Sequence, residues 1–132
     1  MKTKNAAFLI GISEYPDYTL KGVPNDLDLL AHALQQRNYA AEAIHLFSDT
    51  HTTLAELHTL LAQIQADYQD VEQGTCYLHI GASGALSLDP LAGGVQPTDG
   101  EPLNFSKALP FSALNDYLPV RPGIRVIATL DC

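Results

Sequence analysis

The run Ala6 to Ile12 (AAFLIGI) does most to limit what this chain can become. Seven apolar residues in succession, with no polar alternation, describe a strand covered on both faces, as inner strands of parallel sheets are. Such a strand requires helices on both sides and crossover connections to its neighbours. The following segments provide them. After a turn region, Ser13 to Pro24, Asn25 reads as a helix cap, and Asp26 and Asp28 suit the positive end of a helix dipole. Leu27, Leu30, Ala31 and Leu34 then recur at i, i+3, i+4 and i+7, and Asn38 is a left-handed stop. Ile44 to Phe47 is a second short strand, ended by Ser48-Asp49-Thr50. Thr53 and Glu56 form a capping box ahead of Leu54, Leu57, Leu61 and Ile64, which predicts a second amphipathic helix to about Tyr68.

Gly74 breaks that pattern, and Thr75 to Ile80 (TCYLHI) is a third strand. From Gly81 to about Leu109 the chain is rich in Gly, Pro and Asp and reads as loop, with room for a small hairpin. Phe111 to Leu118 is a short helix closed by Pro119, and Gly123 leads into a fourth strand, Ile124 to Leu130 (IRVIATL). This order predicts an α/β fold: three layers, α/β/α, around a mainly parallel sheet with right-handed crossovers. There are no internal repeats and no linker, so residues 1–132 form one domain. The fourth strand is expected to leave an edge with nothing to pair or cover it.

Composition narrows the function. Fifteen acidic against seven basic residues give a formal net charge of −8, which argues against nucleic acid or an anionic membrane as the main partner. No apolar run approaches the ~18 to 20 residues of a membrane span, and the first residues do not read as a signal peptide. Two cysteines, Cys76 and Cys132, are too few for a disulfide framework, so a reducing cytoplasm is the expected setting. A hydrophobic content of 46% with 17% charged residues excludes a disordered chain.

In open parallel sheets, chemistry gathers at the carboxyl ends of the strands. Here those ends are Gly11 to Tyr15, Ser48 to Thr50, His79 to Gly84 and Asp131-Cys132. The third tip offers histidine, serine and glycines; the fourth offers a carboxylate and a thiol. Acyl transfer by a Cys–His pair would need a thiolate and an imidazole to converge from such tips. Plainer accounts stand beside this one. Gly81-Ala82-Ser83-Gly84-Ala85 ends in alanine, precedes no amphipathic helix and has no histidine downstream, so a tight glycine turn explains it better than a serine-hydrolase elbow. His51 and His58 lie seven apart without a carboxylate or thiol at ligand spacing, and read as solvated surface residues rather than a metal site. His79 fits a hydrogen-bonded structural residue more simply than a chemical one. Cys76, within a strand, is a small buried hydrophobe.

Taken in order, the tips and helix starts carry a resemblance. Phe8-Leu9-Ile10-Gly11-Ile12 with Tyr15-Pro16, Leu20-Lys21-Gly22-Val23-Pro24-Asn25-Asp26, Ser48-Asp49, His79-Ile80-Gly81-Ala82-Ser83-Gly84 and Ile127-Ala128-Thr129-Leu130-Asp131-Cys132 resemble the caspase-like cysteine peptidases, most closely their metacaspase and bacterial branch. The resemblance covers the whole chain. It implies the large-subunit portion of a caspase-like fold, cut off after its fourth core strand, with the small-subunit half absent. Metacaspase-like members carry an H-Y-S-G-H-G type turn whose second histidine is catalytic. On that turn His79 takes the first position and Ser83 the catalytic one, where a hydroxyl can neither act as a base near neutral pH nor protonate a leaving amine. The family nucleophile follows an Asp-x-Cys-(His)-Ser-Gly pattern. Asp131 matches the Asp and Cys132 falls on x, next to the expected nucleophile; Cys132 would itself be the nucleophile only with a spacing one residue shorter.

By the same resemblance Asp131 lines an acidic pocket for a substrate Arg or Lys side chain. Calcium occurs in the family, but none of its site residues match here, and no cofactor is expected. The expected function is a catalytically inactive or truncated caspase homologue acting on a protein or peptide partner. One alternative is part of an active cysteine endopeptidase cleaving after Arg or Lys, with its nucleophile just beyond residue 132 and His79 as base. The other is a non-enzymatic interaction module that uses the open sheet edge.

Overall fold

A computed structural model describes residues 1–47, 52–101 and 103–132. The apolar run lies within β1 (Thr3–Gly11), where Ala6, Phe8 and Ile10 bury on one face and Ala7 and Leu9 on the other. β1 is followed by α1 (Val23–Gln36), β2 (Ile44–Phe47), α2 (Leu54–Asp67) and β3 (Gln73–Gly81). Then come β4 (Ser83–Leu88), β5 (Leu91–Gln96), β6 (Leu109–Pro110) and β7 (Ile124–Asp131). The main sheet has the order β2-β1-β3-β7 and every pairing in it is parallel. On one face α1 seats Leu27, Ala31 and Leu34 against Ala7 and Leu9. On the other α2 seats Leu57, Leu61 and Ile64 against Phe8, Ile10, Leu78 and Ile80. This is the three-layer α/β/α arrangement predicted from the order of strands and helices. Cys76 is buried in the second of these cores.

The Thr53 half of the capping box is present: its hydroxyl accepts from the Glu56 backbone N–H at 3.2 Å and donates to the Glu56 carboxylate at 3.1 Å. Asn38 stops α1 with φ at 72°. The start of α1 differs from expectation. Gly22 is the N-cap and makes no side-chain bond, and Pro24 sits in the first turn, where its missing N–H is no loss. Asn25 is therefore inside the helix, and Asp26 is the first-turn acid while Asp28 lies beyond it.

Gly74 is no breaker either. It lies inside β3 with φ at 148°, where a Cβ would stand 1.8 Å from the Lys4 carbonyl oxygen, so β1 and β3 approach here only because that atom is missing. The segment read as loop forms a second, antiparallel sheet, β4-β5-β6. Its exposed face carries Leu86, Leu88 and Leu91 while β5 contains Gly93 and Gly94, so the usual alternation of apolar-in and polar-out is absent from the sequence. Gly81 closes β3 and Ser83 to Ala85 open β4, with a bend at Ala82 between them, so both glycines lie in strands rather than in a tight glycine turn. The helix expected over 111–118 is a 3-10 segment, Phe111–Asp116, with Leu114 buried. Ser48, Asp49, Thr50 and His51, to which a strand end and one histidine of a pair were assigned, lie outside the described residues. Among the described residues no helix is long and apolar enough to cross a membrane.

Candidate functional site

The carboxyl tips of three strands are bonded side by side. Gly11, Gly81 and Asp131 stand in register across β1, β3 and β7. Beyond them the Ile12 N–H donates to the Gly81 carbonyl at 2.8 Å, and the Ala82 N–H to the Asp131 carbonyl at 3.0 Å. The start of α1 closes over this edge because Gly11 has no side chain: a Cβ there would meet Leu27 Cδ1 at 2.7 Å and Val23 Cγ1 at 2.8 Å. The closure leaves an open cleft of about 530 Å³, lined by Val23, Asp26, Ala82, Asp131 and Cys132 together with the turn at Thr19 to Gly22. Two carboxylates, Asp26 and Asp131, thus share one concavity with one cation, Lys21.

His79 projects from β3 on the same side as Asp131, since residues two apart on these paired strands share a face. Its Nδ1 lies 2.8 Å from the Thr129 hydroxyl of β7, and its Nε2 lies 3.5 Å from the Cβ position of Gly81, beside Val23. Burial lowers the pKa of the imidazole, with the carboxylates of Asp131 and Asp26 opposing that shift in part. The ring is therefore neutral at pH 7.

Ser83 belongs to a different set of contacts. Its backbone N–H donates to Tyr15 Oη at 2.8 Å, and its hydroxyl lies 2.6 Å from Tyr18 Oη. Tyr15 Oη in turn donates to the Gln96 carbonyl of β5 at 2.9 Å, and the two tyrosine rings stack with centroids 4.9 Å apart. Burial pushes the Tyr15 phenol up to about 12, so it remains a donor throughout the neutral range. The tyrosine pair is what sequence reasoning missed. Its only signal was two tyrosines in one turn, and their union with Ser83 depends on the fold-back that pairs Glu14 with Thr19.

Cys132 lies against the start of β4, its Cβ 3.6 Å from the position a Gly84 Cβ would take. The residue as a whole is exposed, yet crowding around the thiol, with the Asp131 carboxylate adding to it, pushes its pKa up to about 11. A reactive cysteine needs the opposite surroundings. Among the described residues no imidazole hydrogen-bonds this thiol. Asp131, Cys132, His79 and Ser83 are thus gathered at one sheet edge, without a base–thiol pair. Asp26, taken from sequence only as a helix charge, is part of the cleft.

His58 is not a solvated surface residue: it is half-buried and its Nδ1 lies 2.6 Å from Tyr117 Oη, which ties α2 to the segment before β7. Among the described residues no group of three or more His, Cys, Asp or Glu converges to hold a metal ion. No protein-family model matches the chain, and no curated protein matches it in sequence.

Proposed function

We propose that this chain is a caspase-like domain without peptidase activity, which binds a protein or peptide partner through an Arg or Lys side chain placed between Asp26 and Asp131. The observation that carries the proposal is the pairing at the sheet edge of an acidic cleft with a protonated thiol that has no imidazole partner among the described residues. In the position that the family resemblance gives to the catalytic histidine stands Ser83, whose hydroxyl is held by Tyr18. A carboxylate pair attracts a guanidinium or ammonium by charge-assisted hydrogen bonds, a binding function that needs no base and no nucleophile. His79 serves this arrangement as a neutral support for the β3–β7 edge, its Nδ1 bonded to Thr129 and its Nε2 beside Gly81 and Val23. Two free cysteines suit a reducing, cytoplasmic setting for such a protein.

Titration calorimetry with a short Arg-containing peptide and its Gln-substituted twin tests the binding. The Arg peptide is expected to bind, the Gln peptide about tenfold or more weakly, and Asp131→Asn or Asp26→Asn to reduce the Arg affinity by a similar factor. Equal affinities for the two peptides would refute the cleft as the site.

A further inference from the structure

The amino end of the parallel sheet carries a second polar site, at the opposite end of the strands from the acidic cleft. Asn5, Thr75 and Arg125 stand in register across β1, β3 and β7. Asn5 lies two residues before Ala7 and so shares the face that α1 covers. There the helix ends, and Asn38, with φ at 72°, turns the chain back. The N–H groups of Arg37 and Tyr39 donate to the Leu34 carbonyl at 3.0 and 3.1 Å, and that of Asn38 to the Gln35 carbonyl at 3.1 Å. Those helix-end acceptors are therefore occupied. The turn also seats Tyr39, half-buried, against the core of Ala7, Leu9 and Leu34. Between the turn and the strands lies a cavity of about 270 Å³, lined by Asn5, Arg37, Asn38, Tyr39 and Thr75. Each of these side chains can donate a hydrogen bond, and none is a carboxylate. Arg37 and Arg125 are exposed, and among the described residues neither guanidinium forms an ion pair.

We propose that this cavity binds a phosphoryl group, as the free ion or as a phosphate monoester, through the Arg37 guanidinium and the side chains of Asn5, Asn38, Tyr39 and Thr75, with Arg125 as a second positive charge. A guanidinium fork bonds two phosphate oxygens in parallel, and hydroxyl and carboxamide donors suit the oxygens that remain. Two guanidinium groups match the charge of about −1.5 to −2 that a phosphate monoester carries at neutral pH. A carboxylate, with one charge and two oxygens, leaves part of this donor set unused. Burial, with Tyr77 adding to it, raises the pKa of the Tyr39 phenol, while Arg125 opposes the shift, so the hydroxyl remains a donor at pH 7. In a chain whose net charge is −8, a pocket without carboxylates beside two unpaired guanidinium groups is a local reversal of the field, and it draws an anion. The inference stands apart from the peptide-binding proposal, since the two sites share no residue.

Titration calorimetry with inorganic phosphate, methyl phosphate and acetate, all at one ionic strength, tests it. One phosphate or methyl phosphate is expected to bind per chain, and acetate about tenfold or more weakly. Tighter binding of methyl phosphate than of the free ion identifies the ligand as an ester, and the reverse order identifies free phosphate; either order supports the site. Arg37→Gln is expected to weaken phosphate binding about tenfold or more, and Arg125→Gln about threefold, as the loss of one charge-assisted contact and of one neighbouring charge. Both arginines are exposed and unpaired among the described residues, so neither substitution disturbs the core. Tyr39→Phe keeps the packed ring and removes only the hydroxyl, and it too is expected to weaken binding. Asp26→Asn and Asp131→Asn are expected to bind phosphate as the native chain does, which separates this inference from the fate of the peptide-binding proposal. The absence of saturable binding by both phosphates, equal binding of acetate, or a phosphate affinity unchanged by either arginine substitution would each overturn the proposal.

Discussion

Cys132 and Gly74 show how much a single residue's surroundings decide. With its pKa raised from 9.0 to about 11, the Cys132 thiol is deprotonated to only about one part in a thousand at pH 8. Alkylation by iodoacetamide at that pH is expected to be on the order of a hundredfold slower than for an ordinary thiol; an ordinary rate would contradict the account of the cleft. Cys76 is held higher still, about 12, by burial, and is expected to react only when the chain unfolds. At Gly74 any side chain meets the Lys4 carbonyl and an unfavourable φ together. Gly74→Ala is expected to lower the unfolding free energy by at least about 2 kcal/mol, read by urea denaturation. The sequence marked Gly74 as a break because glycine usually is one. Its use inside a strand depends on how closely β1 passes, which a local pattern does not record. The same limit hid Tyr15 and Tyr18, whose partner Ser83 lies more than sixty residues away.

The elements whose ends carry their own chemistry were legible. β2 and α2 fall where Ile44 to Phe47 and the Thr53–Glu56 capping box predict them, because a cap and a 3.6-residue period act over a few residues. The sheet β4-β5-β6 was not legible, since glycines and outward-facing leucines erase its period. The joint between α2 and the sheet rests on Tyr68, which is fully buried. Its hydroxyl donates to the Thr75 carbonyl at 2.5 Å and accepts the Ala6 N–H at 3.2 Å, joining β3 to β1. Arg121 caps the same helix end, its guanidinium donating to the Tyr68 and Val71 carbonyls. Tyr68→Phe removes both hydroxyl bonds inside the core and is expected to cost about 1–3 kcal/mol in urea denaturation. His79 gives β3 a pH dependence. The unfolded chain takes up this proton near pH 6.5 and the folded chain less readily, so stability is full above that pH and falls as the pH drops through it. His79→Gln is expected to flatten the change in denaturation midpoint between about pH 7 and pH 5; an unchanged slope would mean that the imidazole is not coupled to folding.

At the scale of the molecule, one inner apolar strand with helix patterns on either side of it was enough to predict three layers, because a parallel sheet has few other ways to bury both faces. The same topology brings Asp131, Cys132, His79 and Ser83 to one edge, as strand tips in register must be. What the sequence could not convey is the electrostatic character of that edge. Asp26 enters the cleft only because α1 begins at Gly22 and settles onto Gly11. The account holds that this cleft binds a basic side chain and performs no hydrolysis. Mass spectrometry of an Arg- and Lys-containing peptide incubated with the native chain and with Cys132→Ala, at concentrations where calorimetry registers binding, puts that claim to its most direct test. The account predicts intact peptide in both samples, while cleavage after Arg or Lys by the native chain, lost in Cys132→Ala, would contradict it.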